Sequence, residues 1–112
     1  MNHTSETFVF GKGAPAVELS PGITRKILAY SDALMICEFR MAKGSVLKDH
    51  HHPHHQSSTV VSGVLRYTVG SETRLVGAGD SVMIGPEVPH SALVEEDALV
   101  IDAFSPIRED FL

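Results

Sequence analysis

Residues 44–63 read GSVLKDHHHPHHQSSTVVSG, and positions 50–56 within them hold five of the chain's seven histidines. The cluster is internal, is interrupted by a proline and ends in a glutamine, so it is not a purification tag. Two interpretations remain from these residues alone: a solvated polar loop, or a metal site whose ligands have a defined spacing. The sequence on either side determines which histidines can face the same way.

Short apolar stretches rich in Val and Ile flank this segment and are separated by Gly, Pro, Asp and Ser. They predict strands at 23–30, 33–41, 57–62, 64–69, 73–76, 81–84, 90–94 and 98–104. Gly63 and the EED at 95–97 are predicted as turns between strands. No window has a sustained helical period, and the closing SPIREDFL at 105–112 can form a turn or two at most. Strands repeated every 8–12 residues or so predict an all-β sandwich or barrel.

Size and charge narrow the function classes. The 112 residues predict one domain spanning 1–112, and a formal net charge of −5 argues against a nucleic-acid partner. No apolar run approaches the ~20 residues that cross a bilayer, so we expect no membrane partner. The N-terminus lacks the features of a signal peptide, and Cys37 is the single cysteine, expected to be a buried, inert thiol. These features make the cytoplasm the expected location.

Strand geometry divides the histidine cluster into two faces, because successive side chains alternate. One face would hold His50, His52, His54 and Gln56, and the other His51 and His55. Two imidazoles two residues apart, with a further donor along the strand, are a plausible spacing for one divalent metal ion. The missing ligand must come from another strand, and His90 follows a GPEVP turn in a suitable place. His54 could equally line the site or be a surplus polar group.

Three residues near the C-terminus suggest substrate chemistry, although each has a simpler explanation. Asp102 shares a strand face with Phe104, and an acid inside an apolar strand needs either hydrogen-bonding partners or a catalytic role. Phe104 is either core or an apolar wall of a ligand site. Arg108 either pairs with Asp110 or its neighbour Glu109 at the surface, or holds a substrate carboxylate through its planar fork of donors.

The segment 44–63 resembles the first cupin motif, G-x5-H-x-H-x3-E-x6-G, with every spacing matched. The glycine spacing selects His50 and His52 as ligands, and Gln56 stands where the motif has glutamate. A neutral amide ligand would leave the ion its full positive charge, which favours Lewis-acid chemistry and anion binding. The resemblance implies a cupin jelly-roll barrel that holds one divalent metal, with Ni, Zn, Fe and Mn as candidates.

Residues 79–94 resemble the second cupin motif, which begins G-x5-P-x-G-x2-H. His90 matches the ligand position of this motif. Gly85 and Glu87 replace the usual proline and glycine, so the turn before His90 is where this chain departs from the pattern. The resemblance therefore completes a ligand set of His50, His52, Gln56 and His90.

A narrower resemblance covers nearly the whole chain. LSPGITRKILAYSDALMICEF at 19–39 and the ending LVIDAFSPIREDFL at 99–112 are similar to the KdgF-type pectin-degradation cupins. That family implies a metal-dependent homodimer that converts cyclic 4,5-unsaturated monouronates from pectin or alginate into linear keto forms. It also favours catalytic roles for Asp102, Phe104 and Arg108. Alternatives are a small cupin dioxygenase, a polyketide-cyclase-like enzyme, and a non-enzymatic module that binds a sugar or a metal.

Overall fold

Eight strands account for most of the chain in the computed structural model, which describes residues 2–112. They are β1 (Ala16–Ser20), β2 (Ile23–Ser31), β3 (Leu34–Met41), β4 (Val46–His50), β5 (His55–Val69), β6 (Glu72–Gly77), β7 (Ser81–Ile84) and β8 (His90–Ser105). Two single-turn 3-10 helices lie at Gly11–Gly13 and Glu109–Phe111. The all-β prediction is confirmed, and the predicted C-terminal turn is the second of these helices.

All strand pairs are antiparallel and belong to one sheet with the order β1-β2-β3-β8-β5-β6. The remaining strands extend this path sideways, since β4 pairs with β8 and β7 pairs with β5. The two long strands, β5 and β8, therefore each pair with three other strands. This arrangement is a jelly-roll barrel, which curls a single sheet so that one face encloses the core.

The enclosed face follows the two-residue period of the strands. On β3, Met35, Cys37 and Phe39 point inward, and on β8 Val100 and Phe104 do so on either side of Asp102. Burial raises the pKa of the Cys37 thiol to about 12, which keeps it in its unreactive protonated form. The prediction of a buried Cys37 is confirmed.

Two predicted turns are wrong, because the strands run through them. Gly63 lies inside β5 at a register shift, with φ +89, and Asp97 lies inside β8. A side chain at position 63 would collide with the backbone of Asp97 and Ala98, so only glycine allows the two long strands to approach here. Sequence patterning reads a mid-strand glycine as a break, but in this barrel it marks a bend in one continuous strand.

Three expectations concern more than the fold: no membrane partner, a homodimer and a cytoplasmic location. None of the helices among residues 2–112 is both long enough and apolar enough to cross a membrane. Near the N-terminus, Phe8 and Phe10 are 77% and 78% exposed, and both precede β1, which ends the strand path. The homodimer and the cytoplasmic location stay predictions.

Candidate metal and substrate site

Three histidines converge where β4 ends and β8 begins. His50 is the last residue of β4 and is paired in register with His90, the first residue of β8. His52 follows β4 in a loop, since residues 51–54 are not part of a strand. The expectation of one continuous strand through the histidine cluster is therefore wrong. Burial nevertheless alternates as predicted, and His52 is 7% exposed.

Backbone carbonyls fix the ring orientation of two of these histidines. The Nδ1–H of His50 donates to the carbonyl of Lys48 at 2.8 Å, and the Nδ1–H of His90 donates to the carbonyl of Val88 at 2.9 Å. Each neutral ring then keeps its lone pair on Nε2, the tautomer that metal-ligating histidines commonly adopt. The Nε2 atom of His90 is buried without a hydrogen-bond partner. A buried ring nitrogen that has a lone pair and no hydrogen-bond partner is available to bind a metal ion.

The turn before His90 has a left-handed residue at the position where the second motif has glycine, and in this chain that residue is Glu87. Glu87 has φ +61, in the left-handed region that favours glycine. Its backbone N–H donates to the carbonyl of His52 at 2.7 Å, so this turn holds the histidine loop in place. The Glu87 side chain contacts His51 at 3.3 Å on the exposed surface.

The local environment favours the neutral form of two of the three rings, His52 and His90. Burial, followed by the positive charge of Arg108, lowers the pKa of His52 to about 4, and burial also lowers the pKa of His90. One ring nitrogen each from His50, His52 and His90 lies within 4.8 Å of the others. Neutral imidazoles with available lone pairs are ligands for divalent metals, and three of them at this spacing suit one ion.

Gln56 links this histidine cluster to Asp102. Its Oε1 lies 2.9 Å from Nε2 of His52, which is a hydrogen bond when that nitrogen carries the ring proton, and its Nε2 donates to Oδ2 of Asp102 at 2.9 Å and to Ser58 at 3.3 Å. When the ring proton is on Nδ1 instead, both atoms have lone pairs facing the cluster. Adjacent donors in an octahedral shell with bonds of ~2.1 Å lie about 3.0 Å apart, so in that tautomer the His52–Gln56 separation fits a shared ion. The amide oxygen thus faces the histidines while the amide nitrogen faces the acid.

Asp102 is a buried carboxyl group with an unused oxygen. It is 6% exposed, and its Oδ1 has no hydrogen-bond partner. Burial raises the pKa of Asp102 to about 7, while hydrogen bonding by Ser58 and Gln56 and the charge of Arg108 act in the opposite direction. A carboxyl group that changes protonation near neutral pH can both give and accept a proton.

A cavity of about 450 Å³ opens beside these groups. Its lining includes His50, Gln56, Asp102, Phe104 and Arg108, so the structure brings most of the sequence-predicted residues to one place. The volume lies within the range of roughly 300–1,000 Å³ that small-molecule sites occupy. A cavity of this volume has room for a single sugar ring.

Arg108 forms an ion pair and Phe104 is buried in the core, as their simpler explanations predict, but both residues also line the cavity. Arg108 donates from Nε and Nη2 to the carboxylate of Asp110 at 3.0 and 2.9 Å, which is the predicted ion pair. Its guanidinium also lies over the rings of Phe104 and Phe111, at 5.1 and 4.2 Å from their centres. Phe104 is 2% exposed and packs against the ring of His52. Arg108 has five N–H groups, so three remain for other partners.

The structure adds residues to the cavity that sequence reasoning missed. Arg25 on β2, Ser58 and Tyr67 on β5, and Phe111 near the C-terminus all line it. A signal for Arg25 was present, because it is two residues after the buried Ile23 and therefore shares its face. Phe111 carried no such signal, since its position depends on how the chain folds back after β8.

The other histidines of the cluster differ in their surroundings. His51 and His55, which strand alternation places on the face opposite the ligands, are exposed. His54 is half-buried, its ring lies 5.4 Å from that of His52, and its Nδ1 atom has no hydrogen-bond partner. It therefore borders the site without joining the three-histidine cluster.

Comparison with known proteins agrees with this geometry. Residues 37–104 match the family described as Cupin domain. The chain is 38% identical over 100 residues to the pectin degradation protein KdgF of Dickeya dadantii, covering 88% of this chain and 91% of that protein.

Two solved structures resemble the whole chain. An RmlC-like cupin from Shewanella frigidimarina has a TM-score of 0.93 at 35% identity, over 97% of this chain and 98% of that one. The structure of KdgF from Halomonas sp. has a TM-score of 0.91 at 34% identity, over 96% and 100% of the two chains. The barrel, the two motifs and these relatives together establish that the chain belongs to the cupin family and is a relative of KdgF.

Proposed function

We propose that this cupin is an enzyme that opens and ketonises cyclic 4,5-unsaturated monouronates, the sugars released when pectin or alginate is cleaved by elimination. The observation that carries the proposal is the buried Asp102, joined through the amide of Gln56 to the histidine cluster at the wall of a sugar-sized cavity. The similarity to a pectin degradation protein supports this class of substrate.

His50, His52, His90 and Gln56 would hold one divalent cation, with Ni, Zn, Fe and Mn as candidates. The orphaned Nε2 atom of His90 and the convergence of the three rings support this assignment. When bound, such an ion polarises an oxygen atom of the substrate as a Lewis acid. Because all four donors are neutral, they do not cancel the charge of the ion.

The remaining groups would orient the substrate. The three unused N–H groups of Arg108 suit a carboxylate, and the ion pair with Asp110 keeps the guanidinium plane in a fixed direction. Phe104 supplies an apolar wall beside the ring. Asp110 also offsets part of the charge of Arg108, whose proximity in turn lowers the pKa of Asp110.

Asp102 would move the proton that the reaction requires. In the ring-opening step the C1 hydroxyl loses a proton, the bond between C1 and the ring oxygen breaks, and the ring oxygen gains a proton to give an enol at C5. In the second step the enol loses its hydroxyl proton while C4 gains one, which leaves a ketone at C5. The product is an isomer of the substrate, so no electron acceptor is needed. A positioned carboxyl group contributes about 10²–10⁴-fold to such proton transfers.

The test follows the ultraviolet absorbance of freshly released unsaturated galacturonate, which disappears when the C4–C5 double bond is lost. Wild-type protein should accelerate the loss, and Asp102→Ala should reduce this acceleration by about 10²-fold or more. Glu96→Ala is the matched control, because Glu96 is an exposed carboxylate on the same strand. If wild type and Asp102→Ala both match the uncatalysed decay, the proposed function is wrong.

A further inference from the structure

Arg25 is a buried cation on the wall of the cavity. It lies on β2, is 9% exposed, and lines the same 450 Å³ space as Asp102 and Arg108. Its Nε atom is buried without a hydrogen-bond partner. Among residues 2–112, no carboxylate forms an ion pair with it within 4.0 Å.

The charges around Arg25 compensate it only in part, because Asp110 acts on it without forming an ion pair. Asp110 is bound by two hydrogen bonds to Arg108, whereas the guanidinium of Arg25 rests on the ring of Phe111, 3.9 Å from its centre. Burial lowers the pKa of Arg25 and the charge of Arg108 lowers it further, while Cys37 and the charge of Asp110 act in the opposite direction. A guanidinium stays protonated even so, since its ordinary pKa exceeds ~12. A buried charge without a counter-ion is destabilising unless an anion reaches it.

The strand register places Arg25 within reach of the proposed substrate position. Arg25 is paired with Phe39 on β3, and Phe39 is paired with Val100 on β8, two residues before Asp102 on the same face. Two strand spacings separate the β2 and β8 rows by roughly 10 Å. The cavity fills the space between these side chains.

We propose that Arg25 binds the substrate carboxylate together with Arg108 and thereby selects uronates over neutral sugars. The inference rests on the proposed function for its substrate class. Its basis is separate, because it follows from the unpaired, buried guanidinium and the cavity that it lines. Arg25 is the specificity-determining member of the pair, since Asp110 already neutralises much of Arg108.

The test measures binding as well as turnover. Galacturonate and its neutral methyl ester are titrated against metal-loaded protein by NMR, for wild type, Arg25→Met and Arg25→Lys. Arg74→Met is the matched control, because Arg74 is an exposed arginine on β6, outside the cavity. Arg25→Met should weaken galacturonate binding about 10–100-fold, which corresponds to the loss of charge-assisted hydrogen bonds. Binding of the methyl ester should change by less than about threefold, and Arg74→Met should behave as wild type.

If Arg25 had a purely structural role, its replacement would not change the preference for galacturonate over the methyl ester. Equal losses for galacturonate and its ester, or no loss for either, would overturn the inference and leave Arg25 as a support for Phe111. If Arg25→Met does not fold, Arg25→Lys decides: it should keep the wild-type melting temperature and bind galacturonate several-fold more weakly, and wild-type binding would overturn the inference.

Turnover separates this inference from the proposed function. On unsaturated galacturonate, Arg25→Met should raise KM far more than it lowers kcat. If wild type shows no turnover while Arg25 still confers the preference for galacturonate over its ester, the proposed function fails and carboxylate recognition stands. If wild type turns the substrate over and Arg25→Met has the wild-type KM, the proposed function stands and the inference fails.

Discussion

Gln56→Glu should separate metal binding from proton transfer, because Gln56 contacts both the histidine cluster and Asp102. The substitution restores the carboxylate that the cupin motif usually carries. It also replaces the amide that donates to Asp102 at 2.9 Å with a second acceptor. Two ionised carboxylates at this distance repel each other by about 6 kcal/mol at an effective dielectric constant near 20. The pair would therefore retain one proton between them at neutral pH.

Two effects of Gln56→Glu should lower the activity: the lost hydrogen bond to Asp102 and the proton that the two carboxylates share. Loss of the hydrogen bond to a charged group corresponds to about 10–100-fold. Trapping the proton of Asp102 approaches the full contribution of about 10²–10⁴-fold that general acid–base catalysis makes. We therefore expect kcat/KM for unsaturated galacturonate to fall by about 10²-fold or more. Because the shared proton raises the pKa of Asp102 above its present value of about 7, the remaining activity should increase as the pH rises from 7 to 9.

Metal retention should change in the opposite direction. A carboxylate adds a negative charge to a neutral ligand set, so Gln56→Glu should hold its ion longer against a chelator. Thr59→Glu is the control, since it adds the same charge to the exposed face of β5 and should keep wild-type activity within about twofold. Metal content and absorbance decay are measured on the same samples. Full metal occupancy with turnover within threefold of wild type would refute the link between Gln56 and Asp102.

Three further predictions concern the turn, the core and the ligands. Glu87→Gly should raise the free energy of unfolding by up to about 1 kcal/mol in a denaturant titration. Glycine removes the cost of the left-handed backbone, roughly 1–2 kcal/mol, but part of this gain is offset because glycine loses more chain entropy on folding. A marked loss of stability would contradict this expectation. Native Cys37 should react with iodoacetamide at pH 8 at least about 100-fold more slowly than Cys37 of the denatured protein. Its pKa of about 12 leaves roughly 10³-fold less thiolate in the native protein than in the denatured one. Equal rates would show that the thiol is accessible and would contradict the prediction. The His90→Ala variant should copurify with little divalent metal, whereas wild type should hold about one ion per chain. The substitution removes one of three imidazole ligands. Unchanged metal content would exclude His90 as a ligand.

Local pattern was sufficient for the fold class and for the face that each strand residue presents. Alternation placed Asp102 inward beside Phe104, and the burial along β8 agrees. The motif spacings selected His50, His52 and His90, which the structure brings together. These properties follow from neighbours along the chain, so the sequence carries them directly. The same local reading misjudged Gly63, where the reason for glycine lies on the neighbouring strand.

The sequence by itself therefore determined an all-β chain of cupin type, the register of its histidines and the inward direction of its acid. Only the tertiary structure decided which charges remain unpaired. Arg108 pairs with Asp110 two residues away, but Arg25 meets Phe111 across 86 positions of chain, at the place where the C-terminal turn closes over the barrel. Burial and charge compensation depend on such long-range contacts, and no spacing within one strand encodes them.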